Sequence, residues 1–200
     1  MKIIAFGASS SRNSINQQLA GYAASLVHGA EVEVLDLNDF EMPLFSEDRE
    51  AEIGQMPLAK LFVEKLGSAD AIVVSFAEHN GSYAAAYKNV FDWASRVQPE
   101  VFQHRPVVYL ATSPGLGGAG SVLASAVGSA GFFAADVKGS LSVPSFHQTF
   151  DMDRGVLRDP ELKNQLIAIM DDLKKAAQQA NDQDIQEGDT ESMYRLSQAL

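Results

Sequence analysis

KIIAFGASSSRNSIN, residues 2–16, is the stretch on which the fold turns. Lys2 to Phe6 is a short apolar run that stops at Gly7, as a buried strand does on leaving the core. From Ser14 onward Ile15, Leu19, Tyr22, Ala23 and Leu26 recur at helical spacing. Strand, serine-rich loop and helix therefore follow one another with almost no spacer. A parallel sheet with crossover helices is assembled from units of this kind.

The same alternation continues along the chain. A second strand is expected at 31–37, from Val32, Val34, Leu35 and Leu37, and a helix at 58–66 after Pro57. AIVVSF, residues 71–76, is a continuous apolar run of the sort covered on both faces. A helix over 83–96, a strand at 106–112, a helix at 121–130 and a fifth strand within 134–143 complete the series. The acidic segment 38–52, with Pro43, shows no period and reads as a loop. Asp159 and Pro160 form an N-cap and first position for a last helix over 160–179. Residues 1–180 are thus expected to form one α/β domain with a doubly wound parallel sheet, and the polar segment 181–200 a tail or an arm that docks on a partner. Right-handed crossovers then carry the loops after strands one, three and four to one sheet edge, where such folds bind ligands.

Composition narrows the partners. The formal net charge is -11 over 200 residues and the basic residues form no stripe, so neither nucleic acid nor an anionic membrane is an expected partner. There is no cysteine, which removes disulfides, thiolate metal sites and cysteine nucleophiles, and no metal site is expected. No segment reaches the apolar length of a membrane span or a signal peptide, so a cytoplasmic protein is expected.

Three loops carry the candidate chemistry. In the first, Ser9, Ser11, Arg12, Ser14, Ile15 and Asn16 lie between a strand and a helix N-terminus, where N–H groups and the helix dipole favour an anion. The loop is neither GxxxxGK[ST] nor GxGxxG, so a nucleoside triphosphate is not its ligand. A solvated turn with Ser14 as a cap reads the same residues equally well. In the second, Glu78, His79, Asn80 and Gly81 contain an Asn-Gly turn able to take positive φ and to present backbone groups to a flat ring. The third, from Ser113, holds a literal GxGxxG at Gly115, Gly117 and Gly120. Against a dinucleotide fingerprint, it follows the fourth strand, and the next acid, Asp136, starts a strand when it should end one.

Taken together, these residues resemble the NADPH-dependent FMN reductase family. Residues 11–16 are similar to its serine-rich FMN phosphate loop, and Glu78, His79, Asn80, Gly81 and Ser82 with Lys88, Asn89, Asp92 and Trp93 resemble its PEYNGS…LKN..DW segment. Residues 112–115 with Gly117 and Gly118 resemble its third flavin-facing loop. The resemblance, over about residues 1–175, implies a flavodoxin-like sheet of order 2-1-3-4-5 with helices on both faces. It implies FMN as cofactor and NADPH or NADH as co-substrate, with hydride passing through the flavin to a quinone, a flavin or a similar small acceptor and no catalytic side chain required. Ser113 and Gly117 would cover the ring opposite Asn80, and a homodimer or homotetramer would complete the site. Ala77 and His79 stand where the family usually has proline and tyrosine, and residues 84–86 are alanines where a proline often follows the turn.

Three rival readings are testable. A flavodoxin-type electron carrier would bind FMN without consuming NAD(P)H. A nicotinamide dehydrogenase using Gly115 to Gly120 would be colourless. A scaffold without a ligand would not be stabilised by FMN.

Overall fold

The computed structural model describes residues 1–198, with side chains to Gln183. Strand β1 (Lys2–Ala8) leads through the serine-rich loop to α1 (Ile15–Ser25), and β2 (Glu31–Leu35) follows. A 3-10 turn (Leu37–Phe40), α2 (Glu47–Ile53) and α3 (Pro57–Gly67) lead to β3 (Ala71–Phe76). The hairpin β4 (Glu78–His79) and β5 (Ser82–Tyr83) precedes α4 (Ala85–Val97) and β6 (Pro106–Thr112). Then come α5 (Gly120–Ser129), a second 3-10 turn (Ala130–Phe133) and β7 (Asp136–Val143). A short helix α6 (Phe146–Thr149), the hairpin β8 (Phe150–Asp151) and β9 (Val156–Leu157), and α7 (Pro160–Gln198) end the chain.

The main sheet has order β2-β1-β3-β6-β7, all pairs parallel. Renumbered over sheet strands alone, this is the 2-1-3-4-5 order of a flavodoxin-like fold. Alternating side chains divide the interior into two cores. Ile4, Phe6, Val74 and Tyr109 face α3, α4 and α5, whereas Ile3, Ala5, Val73 and Leu110 face α1 and α7. Ala8 is paired with Phe76, Phe76 with Ala111, and Thr112 with Val143. The strands therefore end level, and their loops open on one edge.

The joint between β1 and α1 is close. A Cβ on Gly7 would lie 2.3 Å from the backbone nitrogen of Gln17 and 2.8 Å from the carbonyl carbon of Asn16, so only glycine allows the helix to start where it does.

Several boundaries differ from the sequence expectation. β2 ends at Leu35, because Asp36 accepts the Asn38 N–H and turns the chain into the 3-10 segment. The segment expected to be a loop contains α2, capped by Ser46, in which no residue is buried and so no apolar period existed to be read. Part of the second loop is itself a hairpin, and α6, β8 and β9 were not anticipated. Asp159 does cap α7, accepting from the N–H groups of Glu161 and Leu162. That helix runs beyond the expected end at 179, so the proposed boundary at 181 falls within it.

Candidate functional site

At the carboxyl edge of the sheet the loops after β1, β3 and β6 enclose a concavity of about 160 Å³. Ser9, Ser11, Ser14, Ile15 and Asn16 line it from the first loop, Glu78 and His79 from the second, and Ser113 from the third. Asn13, Ala77, Thr112 and Pro114, which fall in the stretches resembling the family but were not among the candidate cofactor-binding residues, complete the lining. Three loops separated by some sixty and a hundred residues of chain thus meet where the topology requires them to.

The first loop is shaped by its own hydroxyls. Ser9 Oγ accepts the Ser11 N–H at 3.1 Å, and the Ser9 N–H donates to the Gly7 carbonyl at 2.8 Å. Ser14 caps α1 by accepting the Gln17 N–H at 3.2 Å, which leaves its own O–H free to donate. Among the described residues no protein acceptor meets the N–H groups of Ile15 and Asn16. Those donors sit at the positive end of the helix dipole, an arrangement that suits an anion.

Asn16 has a different task from the one its place in the loop suggests. Its side chain is buried: Oδ1 accepts the Ser75 hydroxyl at 2.7 Å and the Thr112 N–H at 3.1 Å, while Nδ2 donates to the Thr112 carbonyl at 3.2 Å. One amide thereby latches α1 to the ends of β3 and β6. Its amide oxygen is thereby fully engaged, and its backbone N–H is left for a ligand. Arg12 lies outside the concavity and lines a wider groove of about 600 Å³ between α1 and the β8–β9 hairpin.

In the second loop His79 pairs with Ser82 across Asn80 and Gly81, whose φ values are 53° and 77°. Positive φ at both central residues is what a type I′ hairpin requires. Asn80 and Gly81 form the exposed tip and are not among the residues lining the concavity. Glu78 does more than present its backbone. Its Oε2 accepts the Val122 N–H at 2.9 Å, in the first turn of α5, where the N-cap residue Ala119 has no side-chain acceptor. A carboxylate from one loop therefore caps the helix that follows another.

The third loop is held from behind. The Ser145 N–H donates to Gly115 O at 2.9 Å, Phe146 N–H to Ser113 O at 3.0 Å, and Ser142 Oγ to Gly118 O at 2.8 Å. Gly118 has φ 58°, and a Cβ there would come within 2.2 Å of Ser142 Oγ. By contrast, none of Gly115, Gly117 and Gly120 takes positive φ, and their nearest would-be Cβ neighbour is Ser113 Oγ at 4.0 Å from Gly115. The glycine that the backbone demands, Gly118, occupies a variable position of the GxGxxG and not one of its three fixed glycines. Gly117 does not line the concavity.

Helix α4 supports the neighbouring wall. Asn89 Oδ1 accepts the Phe45 N–H at 2.8 Å and its Nδ2 donates to Met42 O at 2.9 Å. Trp93 Nε1 donates to Pro43 O at 2.8 Å. These residues fasten the loop after β2, which with Ser10 and Ala86 borders a second cavity of about 350 Å³. Their i, i+4 spacing placed two polar groups on one helix face, a signal available in the sequence. Lys88 and Asp92 form an exposed pair at 2.6 Å.

The sequence model described as NADPH-dependent FMN reductase matches residues 1–148. An NADPH:quinone oxidoreductase of Arabidopsis thaliana is 35% identical over 92 residues, 46% of this chain and 45% of the plant protein. An NAD(P)H-dependent FMN reductase of Pseudomonas aeruginosa is 33% identical over 116 residues, covering 58% of this chain and 61% of its own length. The matched region thus spans roughly half to three-fifths of these relatives. Over a longer stretch, an NAD(P)H:quinone oxidoreductase of Solanum tuberosum is 28% identical, covering 85% and 89% of the two chains. Among solved structures, the flavoenzyme NAD(P)H:(acceptor) oxidoreductase FerB of Paracoccus denitrificans shares the fold with a TM-score of 0.67 at 22% identity, over 88% of this chain and 98% of its own.

Proposed function

The chain belongs to the NADPH-dependent FMN reductase family, and from that premise we propose that it is an FMN-dependent oxidoreductase passing hydride from NAD(P)H to a quinone, a flavin or a similar small acceptor. The observation that carries the reading is the meeting of the three loops over the unpaired N–H groups of Ile15 and Asn16.

The donor set fits the phosphate of FMN. Ile15 and Asn16 would hold it by backbone N–H, Ser11 and Ser14 by hydroxyl donation, and Arg12 would offer its charge from the rim. Ser9 keeps the loop in shape. Ala77, Glu78 and His79 would lie along the ring with Ser113 and Pro114 across from them, and Asn80, Gly81 and Gly117 would border the entrance. FMN, when bound, supplies the hydride chemistry, so the side chains need only bind, orient and exclude water. His79, exposed beside the hairpin tip, would contact the second substrate.

We also propose a cytoplasmic homodimer or homotetramer. Leu116, in the loop before α5, and Phe132, in the turn after it, are 90% and 83% exposed, and burial against a second copy would cover them. Sedimentation at the monomer mass would reject this. Among the described residues no helix is long and apolar enough to cross a membrane.

The test of the main reading is the absorbance spectrum of the purified protein, followed by NADPH oxidation with a panel of quinones. A yellow protein that consumes NADPH only when a quinone is present is expected. Protein that is colourless, and whose melting temperature added FMN does not raise, would exclude the reading.

A further inference from the structure

The groove between α1 and the β8–β9 hairpin is continuous with the three-loop concavity, because Asn13 and Ser14 line both. It starts at the cap of α1 and follows that helix to Ser25, about 16 Å of helix rise from Ser14. At about 600 Å³ it is also much the larger of the two, the concavity holding about 160 Å³.

Its chemistry is polar on the helix side and apolar on the hairpin side. The chain has a net charge of -11, yet among the described residues no carboxylate lines this groove, and its one ionic side chain is Arg12. Gln17 and Gln18 add side-chain amides. Across from them stand Phe150 and Met152, the latter 48% exposed, and Tyr22 meets Phe150 edge to face at 5.7 Å. Tyr22 is 8% exposed and its hydroxyl has no hydrogen-bond partner. The Leu157 N–H that faces it can only donate, so the phenol proton lacks an acceptor. Gly21 lies mid-helix in the groove wall, where glycine is a poor helix former. A Cβ there would touch only the Val34 side chain, at 3.7 Å, so packing does not require the glycine. A bare backbone at that point leaves room for a molecule laid across the helix.

We propose that this groove seats the adenosine monophosphate half of FAD, so that the site accepts FAD as well as FMN. The inference rests on the reading of the concavity as the seat of the flavin and its phosphate. FMN ends in a single phosphate, for which the N–H groups of Ile15 and Asn16 and the nearby hydroxyls are donors enough. A second phosphate, joined to the first beside Ser14, would enter the groove next to Arg12 and take its charge-assisted hydrogen bonds. Gln17, Gln18 and the Tyr22 phenol suit the ribose hydroxyls, and Met152 with Phe150 offers an apolar face to the purine.

Fluorescence titration of the full chain, freed of flavin, with FMN and with FAD tests the proposal through the ratio of the two dissociation constants. FAD is expected to bind one to one and at least as tightly as FMN. Gly21→Gln fills the groove with a side chain that helices favour; it should weaken FAD about tenfold and move FMN by about twofold or less. Arg12→Gln should weaken FAD more than FMN. Wild-type protein that holds FAD more weakly than FMN overturns the proposal. So does Gly21→Gln protein in which the ratio changes by less than about threefold. If that variant melts early, Met152→Ala is read by the same ratio and the same limit. NADPH also carries an adenosine phosphate, so its KM is measured in parallel and should not move in Gly21→Gln. A raised KM with an unchanged flavin ratio would give the groove to the nicotinamide nucleotide and overturn the proposal. Protein that binds neither flavin overturns the reductase reading as well, whereas binding of FMN alone overturns this proposal only.

Discussion

The β1–α1 loop and the β4–β5 hairpin face each other across the same concavity, yet they are built on opposite principles. The first is fixed from below: Gly7 lets α1 start against the strand, Asn16 ties the helix to the ends of β3 and β6, and Ser9 and Ser14 bond within the loop. The hairpin projects outward with Asn80 and Gly81 at an exposed tip, restrained at its base by the Val122 N–H bond to Glu78 and by the packing of Tyr83 against Phe76 and Tyr87. A rigid anchor suits a group that is held through every turnover. A projecting loop suits the side where substrates of differing shape arrive and leave.

The largest expected effect tests the anchor. Gly7→Ala forces a methyl to within 2.3 Å of a backbone nitrogen, and should cost about 3 kcal/mol in urea unfolding together with most FMN affinity. Wild-type stability in that variant would show that α1 can shift, and the contrast would lose its basis. Asn16→Ala leaves the Ser75 hydroxyl and both backbone groups of Thr112 unpaired, and is expected to cost about 2–3 kcal/mol. Its FMN dissociation constant should rise; an unchanged constant would mean that the latch serves folding alone.

The hairpin should respond more mildly. Glu78→Ala removes the cap of α5 and should cost about 1 kcal/mol, whereas Glu78→Gln keeps an acceptor for Val122 and should recover much of it. Steady-state kinetics are expected to show KM for the acceptor altered more than FMN binding. Were FMN binding to fall as far as in Asn16→Ala, the two loops would be mechanically one unit.

The smallest effect lies away from both loops. Glu33 receives hydrogen bonds from Lys65 and Lys2, which hold its pKa below the ordinary carboxylate value. A lowered folded pKa means stability that is present above the unfolded value, near 4.5, and lost as pH falls through the folded one. Melting curves between neutral pH and acid should therefore drop less steeply in Glu33→Gln, with FMN binding unaltered. A change in FMN binding would show that strain reaches the loops from the far side of the sheet.

How far these features could be read from sequence depends on their range. β3 and β6 have the expected bounds because each is a continuous apolar run, and the Asn-Gly turn announces itself in two residues. The serine-rich loop was correctly placed between strand and helix. What Asn16 does was not readable, since its partners Ser75 and Thr112 lie 59 and 96 residues away. The same holds for Glu78 and Val122, 44 residues apart. Steric need misled in the third loop: GxGxxG drew attention to three glycines with open space or only distant neighbours, while Gly118, packed against Ser142, was marked only by the resemblance to the family's third loop. Arg12 was assigned by nearness in sequence, and the turn of the backbone takes it to the neighbouring groove.

The Asn16 latch also sets a timetable. A chain emerging from the ribosome carries α1, and later β3, long before Thr112 is made, so the amide has only its Ser75 partner until β6 arrives. Contacts that span so many residues close late, after the local helices have formed. The N-terminal end of α1 is therefore expected to reach its final position only when four of the five sheet strands exist, and binding of FMN at its N–H groups, as proposed, would come late in biogenesis.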